Sequence, residues 1–283
     1  MRTLVVTAAD DAFMPLLRGL LGSLARLQPI GDLAFLDVGL SPENRDWVAR
    51  QVRHVAEPGW DLPVQTALRL EQPHLRALTA RPFLRDYFPG YDKYLWIDAD
   101  TWVQERTALE WFDAVAADGR LAIVPQVDRA YRHQANLLDW RFSRMQTGFG
   151  PEAAQRLLWE TYFNAGVFCL EAGAAHWQHW ATHFRAGLDA SGGSLCCDQS
   201  ALNHAIWSAG LPVHPLPALC NWLCHLATPY LHPVSGLLCE PLAPRQALGI
   251  VHLSAASKDS LLAVPNAAGS GAAGPRTLLS PYG

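Results

Sequence analysis

Two aspartates separated by one alanine, Asp98-Ala99-Asp100, directly follow the apolar run Tyr94-Leu95-Trp96-Ile97. In an extended segment, positions two apart face the same side, so both carboxylates can converge on one hard cation beyond the strand's carboxyl end. Open α/β sheets bind their ligands at that end. A divalent cation held there would neutralise a diphosphate and the charge that grows on it as a leaving group. Acidic residues are common in loops after strands, so the triplet alone is more often a solvated turn. His252 closes a second apolar run, Ile250-Val251, and Lys258 follows six residues later. The imidazole could complete a ligand set and the ammonium could approach a phosphate, although a packed histidine and a solvated lysine are the ordinary readings. Asn164-Ala165-Gly166 places an amide at the start of an apolar run, where sugar hydroxyls could be read, and Asp198-Gln199 opens a helical stretch. Taken singly, the first can be a turn and Asp198 a helix cap.

The elements that must carry these residues are legible in outline. Thr3 to Thr7 is a β-rich run, and Phe13 to Leu27 has helical apolar spacing. Leu33 to Val38 reads as a strand, with Ser41-Pro42 starting the next helix. Arg76 to Tyr87 reads as helix, Tyr94 to Ile97 as a buried central strand, and Leu121 to Val124 and Gly166 to Leu170 as further strands. Helices are expected around Leu109 to Ala117 and His176 to Leu188. This alternation predicts an α/β fold with a mostly parallel central sheet and helices on both faces.

The 283 residues carry 22 basic and 26 acidic side chains, a net charge of −4, which excludes a general nucleic-acid binder. With 50% hydrophobic and 17% charged residues the chain can bury a large core. No uncharged apolar run reaches the roughly 18–20 residues of a spanning helix, and Asp10 and Asp11 interrupt the N-terminal run. The chain therefore reads as cytoplasmic, with peripheral membrane contact or a homodimer left open. The six cysteines follow no disulfide spacing and read as buried thiols; Cys220, Cys224, His225 and Cys239 make a poor zinc set. The eleven tryptophans read mainly as core, Trp47, Trp111, Trp159, Trp177 and Trp180 falling within helical stretches. Gly269 to Gly274 matches GxGxxG but follows no strand and opens no helix, so it is set aside. Residues 1–264 read as one domain and 265–283 as a mobile Ala/Gly/Pro-rich tail.

In this order, the segments resemble the family 8 glycosyltransferases. The matching pieces are Thr7-Ala8-Ala9-Asp10-Asp11 with Phe13, Arg81, Leu95 to Asp100, Phe163 to Val167, Asp198-Gln199 with Leu202-Asn203, and Val251-His252 with Lys258. The resemblance implies a GT-A fold and a retaining transferase. Such an enzyme moves a hexose from a UDP-sugar to a glycan, lipid or protein hydroxyl, with Mn2+ or Mg2+ as cofactor. It implies that Asp98, Asp100 and His252 hold the metal, and that Asp10 and Phe13 meet the uracil beside Ala8 and Ala99. Lys258 would sit on the diphosphate, while Arg81, Asp128, Asn164, Ala165, Asp198 and Gln199 would surround the donor sugar. Gln199, Asp198 and Arg81 are the expected catalytic residues. Because an amide is a poor nucleophile, attack by the acceptor on the face from which the leaving group departs is expected.

The chain departs from the pattern at Ala12, at Ala255 in place of a common glycine, at Ser200 in place of a second acid, and at Asp259-Ser260. A UDP-sugar-binding protein without transfer and a UDP-sugar hydrolase are the competing readings. Acceptor contacts are expected in a loop over Arg129 to Gly150 and within 199–245. From Gln199 to Cys239 there is no charged residue other than histidine, and this stretch reads as an acceptor groove, an interface, a lipid-facing edge or simply buried chain.

Overall fold

The computed structural model describes residues 1–133, 135–194, 197–258, 261–265 and 272–282. The chain runs β1 (Thr3–Ala9), α1 (Met14–Leu27), β2 (Asp32–Asp37), α2 (Pro42–Ala49) and β3 (His54–Ala56). Three short helices follow, α3 (Thr66–Glu71), α4 (Arg76–Ala80) and α5 (Leu84–Tyr87), and lead into β4 (Lys93–Ile97) and β5 (Thr101–Val103). Next come α6 (Arg106–Val115), β6 (Leu121–Pro125), α7 (Ala135–Leu157), β7 (Phe163–Glu171), α8 (His176–Ala190) and α9 (Asp198–Ala209). The remaining strands are short: β8 (Val213–Pro215), β9 (Trp222–Leu223), β10 (Tyr230–Leu231), β11 (Leu238–Cys239), β12 (Ile250–His252), β13 (Leu261–Pro265) and β14 (Ala272–Thr277).

Seven strands form the central sheet in the order β3-β2-β1-β4-β7-β6-β8. Pairings are parallel except that β7 runs antiparallel to both β4 and β6. Strand β4 is apolar on both faces because both are covered. Tyr94 and Trp96 pack with Trp177, Trp180 and Phe184 of α8. Leu95 and Ile97 pack on the other side with Leu17, Leu20 and Leu24 of α1 and Leu109 and Phe112 of α6. The reversed direction of β7 sets its first residues beside the last residues of β4, with Val167 opposite Ile97. That register brings Asn164-Ala165-Gly166 to the carboxyl end of the sheet, next to Asp98. A smaller sheet, β5-β12-β9, stands against that end and carries His252 opposite Thr101 and Leu223.

Several local expectations change. Arg76 to Tyr87 is not one helix: Pro82 ends α4, and Arg81 to Phe83 forms a 3-10 turn before α5. Asp98 to Asp100 is a turn rather than extended chain, closed by the Thr101 amide and hydroxyl donating to the Asp98 carbonyl at 3.1 and 2.8 Å. The Arg129 to Gly150 stretch, expected as a loop, is largely α7, because Met145 buries against Ala154, Leu157 and Tyr162. Gly150 (φ +85°) kinks that helix ahead of Pro151. Trp177 and Trp180 are buried as expected, but Trp111 is exposed, and Trp159 is 86% exposed and lies beyond α7.

The stretch expected as a mobile tail contains β14, antiparallel to β13, so the boundary at 264 falls inside a strand. Pairing satisfies backbone groups whatever the side chains. Leu278 is then buried, its carbonyl accepting from Trp102 Nε1 at 2.9 Å, and the Ser280 hydroxyl donates to the Gly19 carbonyl at 3.0 Å. Of the GxGxxG match, Gly269 to Gly271 lie outside the described residues and Ala272 to Gly274 lie in β14 rather than at a helix start. Cys169, Cys197, Cys220, Cys224 and Cys239 are free and buried, and Cys196 lies outside the described residues. No helix among the described residues is long and apolar enough to cross a membrane.

Candidate active site

Asp98, Asp100 and His252 each present one ligand atom, and these atoms all lie within 4.8 Å of one another. They are the only described histidine, cysteine, aspartate or glutamate side chains that group in this way. Two carboxylates and an imidazole suit a divalent ion that accepts both oxygen and nitrogen ligands. The β4–β5 turn supplies the aspartates and β12 supplies the histidine. His252 Nδ1 donates to Asn221 Oδ1 at 2.8 Å, which leaves the Nε2 lone pair facing Asp100, 3.3 Å from its carboxylate. Orienting a ligand imidazole through its other nitrogen fixes the tautomer and strengthens the ligand. Asn221 in turn donates to Asn164 Oδ1 at 2.8 Å, so one buried chain of amides runs from the histidine to β7.

Gly166 explains the small residue at the centre of this arrangement. A Cβ there would stand 2.4 Å from His252 Cε1 and 2.9 Å from both Asn164 Oδ1 and Asp98 Oδ2. No side chain fits between the histidine and the first aspartate.

Arg81, placed by the break at Pro82, is 6% exposed and bridges two carboxylates. Its Nη2 donates to Asp98, and its Nη1 donates to Asp198 Oδ2 at 2.6 Å. Burial disfavours the charged guanidinium, but Asp198 and Asp98 outweigh it and raise the Arg81 pKa. The same guanidinium lies over the Trp96 ring, 4.5 Å from its centroid, and the Trp96 indole donates to Asp98 Oδ1 at 2.7 Å. Asp198 is therefore not a side-chain cap of α9. It sits in the first helical turn, where a negative charge suits the helix dipole, and serves as a counter-ion for Arg81.

The two metal-facing aspartates are held differently. Burial opposes ionisation of Asp100, but His252 and Lys258 overcome it and hold the carboxyl well below its ordinary value. Lys258 Nζ reaches Asp100 Oδ2 at 2.8 Å and lies 4.6 Å from the Phe13 ring centroid. Burial pushes Asp98 up, Arg81 offsetting only part of it, and the neighbouring Asp100 charge adds to the rise. A dication between the two would favour both as carboxylates.

Gln199 Oε1 accepts from Asn164 Nδ2 at 3.1 Å and from the Ala165 amide at 2.9 Å. Asn203, one turn along α9, clamps Phe163 through both its amide and its carbonyl at 2.7 and 2.9 Å. These contacts lock the start of β7 to α9. Asp10 caps the turn after β1 by accepting from the Phe13 amide at 3.1 Å. Asp11 ties that turn to α2 through Ser41 and Asn44.

Thus Phe13, Arg81, Asp98, Asp100, Asn164, Ala165, Asp198, Gln199, His252 and Lys258 come together, with Asp10 at the adjoining turn. Ala8 and Ala99 are core contacts, packing into opposite layers of the sheet. Asp128 makes no hydrogen bond or ion pair with these residues among the described ones; its carboxylate accepts from the Ala130 amide at 2.8 Å in a local turn. Trp96 and Asn221 belong to the site and were not among the expected residues. The only sequence signal for Asn221 is a lone amide between cysteine and tryptophan in the uncharged stretch.

The sequence matches no protein-family model and no curated protein. Solved structures do match. The bifunctional glycosyltransferase WbbM in its apo form aligns at a TM-score of 0.57 with 14% identity, over 90% of this chain and 46% of that one. The chain thus spans about half the length of that protein. Galactosyltransferase LgtC, in complex with donor and acceptor sugar analogues, aligns at 0.54 with 19% identity over 90% of this chain and 88% of its own. Mouse xyloside xylosyltransferase 1, in its apo form, aligns at 0.50 with 16% identity over 89% and 96%. At such identities the likeness is one of architecture: the chain has the mixed α/β fold, with a mostly parallel sheet, of the GT-A glycosyltransferases.

Proposed function

We propose that this chain is a retaining, family 8-like glycosyltransferase that moves a hexose from a UDP-sugar to a hydroxyl of a glycan, lipid or protein, with Mn2+ or Mg2+. The observation that carries the reading is the convergence of Asp98, Asp100 and His252 at the carboxyl end of β4, with the imidazole oriented by Asn221. When bound, the cation neutralises the diphosphate as charge gathers on it. Lys258 lends a second positive charge to the same oxygens, and Phe13 beside it offers a flat face for the uracil. Arg81, Asp98 and Asp198 form one ion-paired unit beneath the donor sugar, while Asn164 and Gln199 offer amide N–H groups to its hydroxyls, both side-chain oxygens being already engaged.

The contacts also favour attack on the face from which the leaving group departs. The Gln199 carbonyl already accepts two hydrogen bonds, and Asp198 is committed to Arg81. Neither is free to form a bond to the anomeric carbon, so the acceptor oxygen makes that bond and the departing phosphate oxygen takes its proton. Incubation with donor alone, followed by intact-protein mass measurement, should show no sugar adduct; a stable adduct on the chain would contradict same-face attack. Transfer itself is tested with a panel of UDP-sugars and acceptors. Acceptor-dependent release of UDP above the rate of donor hydrolysis is the expected result, and hydrolysis that no acceptor accelerates would point to a hydrolase.

A further inference from the structure

A second concavity of about 570 Å³ opens beside His252, lined by Arg129, Tyr131, Arg132, His225, Thr228 and Tyr230 among others. It adjoins the metal-facing strand: the Cys224 amide donates to the His252 carbonyl at 3.1 Å, and the His225 ring pairs with the Ser254 hydroxyl. Its wall is built rather than loose. The Tyr131 hydroxyl accepts from the Leu223 amide at 3.0 Å, its ring packs 5.1 Å from Trp222, and the Arg132 amide donates to Leu226 at 3.0 Å.

Among the described residues the charged side chains that line this pocket are two arginines, Arg129 and Arg132, and no carboxylate lines it. Arg129 is answered by Glu240 at 2.7 Å, but Arg132 has no carboxylate partner among the described residues. Arg141 of α7 is also without a carboxylate among them; its Nη2 donates to the Gln126 side-chain oxygen and it lies 4.6 Å over the Tyr162 ring, but its buried Nε has no partner. Burial and the Arg141 charge lower the pKa of His133, and burial, His252 and Arg141 hold His225 down to about 4. Arg141 is part-buried without a counter-ion, a cost that an arriving anion offsets, whereas Arg132 stands exposed at the rim, where it can meet that anion. Guanidinium also pairs with carboxylate and phosphate through two parallel hydrogen bonds.

We infer that this pocket receives the acceptor and that the acceptor is anionic, a sugar whose carboxylate or phosphate group pairs with Arg132 in the field of Arg141. The inference rests on the transferase reading and narrows its substrate class. The test is calorimetric titration of glucose, glucuronate and glucose 6-phosphate into the wild-type chain, Arg132→Gln and Arg141→Gln. At least one anionic sugar should bind about tenfold or more tightly than glucose. Arg132→Gln should bring that sugar to the level of glucose, and Arg141→Gln should weaken it. Which anionic sugar binds separates a uronic acid from a phosphate ester. Equal binding of all three sugars, no binding of either anionic sugar, or binding that Arg132→Gln leaves intact would each overturn the inference. Arg132 is exposed, so its variant decides the matter even if Arg141→Gln fails to fold. UDP and Mn2+ binding is followed on the same wild-type samples. If it fails while the arginine-dependent anion binding stands, the transferase reading falls alone; if it stands while anion binding is absent, only the anionic acceptor is lost.

Discussion

The chemistry of the site depends on side chains that hold one another as much as on those that face the ligand. Asn221 fixes His252, and Asn221→Ala should cost about 10–100-fold in Mn2+ affinity, measured by titration, while leaving the fold intact. Unchanged affinity would mean that the imidazole needs no orienting partner. Gly166→Ala should act more severely, since its methyl meets His252, Asn164 and Asp98 within 3 Å. Loss of Mn2+-dependent UDP binding with a lowered melting temperature is expected, and wild-type binding would show that the histidine can move aside. Ala255, where the resembling family commonly has glycine, takes φ +53°, a left-handed conformation that glycine adopts without strain.

Elements differ in how far their placement can be read from local sequence. The apolar runs of β1, β2, β4, β6 and β7 announce themselves because each is buried on both faces, and the turn after β4 could be expected to carry a cation site. The arrangement that makes Arg81 a bridge between Asp98 and Asp198 could not, because it depends on the break at Pro82 and on partners 17 and 117 residues away. Asn221 is silent for the same reason: its role exists only once β9 lies beside β12. Helix α7 gives little helical signal because its arginines and aromatics alternate without a clean apolar stripe. Helices α8 and α9 meet through His183 and His204, whose Nδ1 atoms stand 2.7 Å apart, with Phe149 stacked on His204 and with His179 and Arg156 nearby. Burial, His183 and Arg156 hold His204 down to about 4, so the folded chain binds fewer protons there than the unfolded chain does. Its contribution is fully present above about pH 6.5 and is lost as pH falls toward 4. Unfolding free energy should therefore decline across that window, and His204→Gln should flatten the decline; an unchanged slope would exclude this pair as its source. Asp100, held below its ordinary 3.8, loses its own contribution only at lower pH, so the two effects separate.

At the scale of the whole molecule, the C-terminal segment closes the structure onto its first helix. Leu278 buries under Trp102, and Tyr282 packs against Gly22 and beneath Arg26 of α1. Removing residues 278–283 should cost about 2 kcal/mol or more, a melting temperature lower by several degrees. Gly22→Leu, whose side chain would collide with Tyr282, should reproduce much of that loss, and a melt unaffected by either change would show that the segment does not dock. The donor site would lie at the carboxyl end of β4, where Asp100 lines one concavity together with Leu279 and Ser280 of this segment. It is tested most directly by the melting temperature with UDP alone, Mn2+ alone and both together, in the wild-type chain and in Asp100→Asn. A ligand at 100 times its dissociation constant stabilises by about 2.7 kcal/mol, a shift of roughly 5 °C or more for a chain of this size. UDP and Mn2+ should stabilise more together than the sum of their separate effects, and Asp100→Asn should abolish the joint shift. No shift over a wide concentration range, or a joint shift that survives Asp100→Asn, would contradict it.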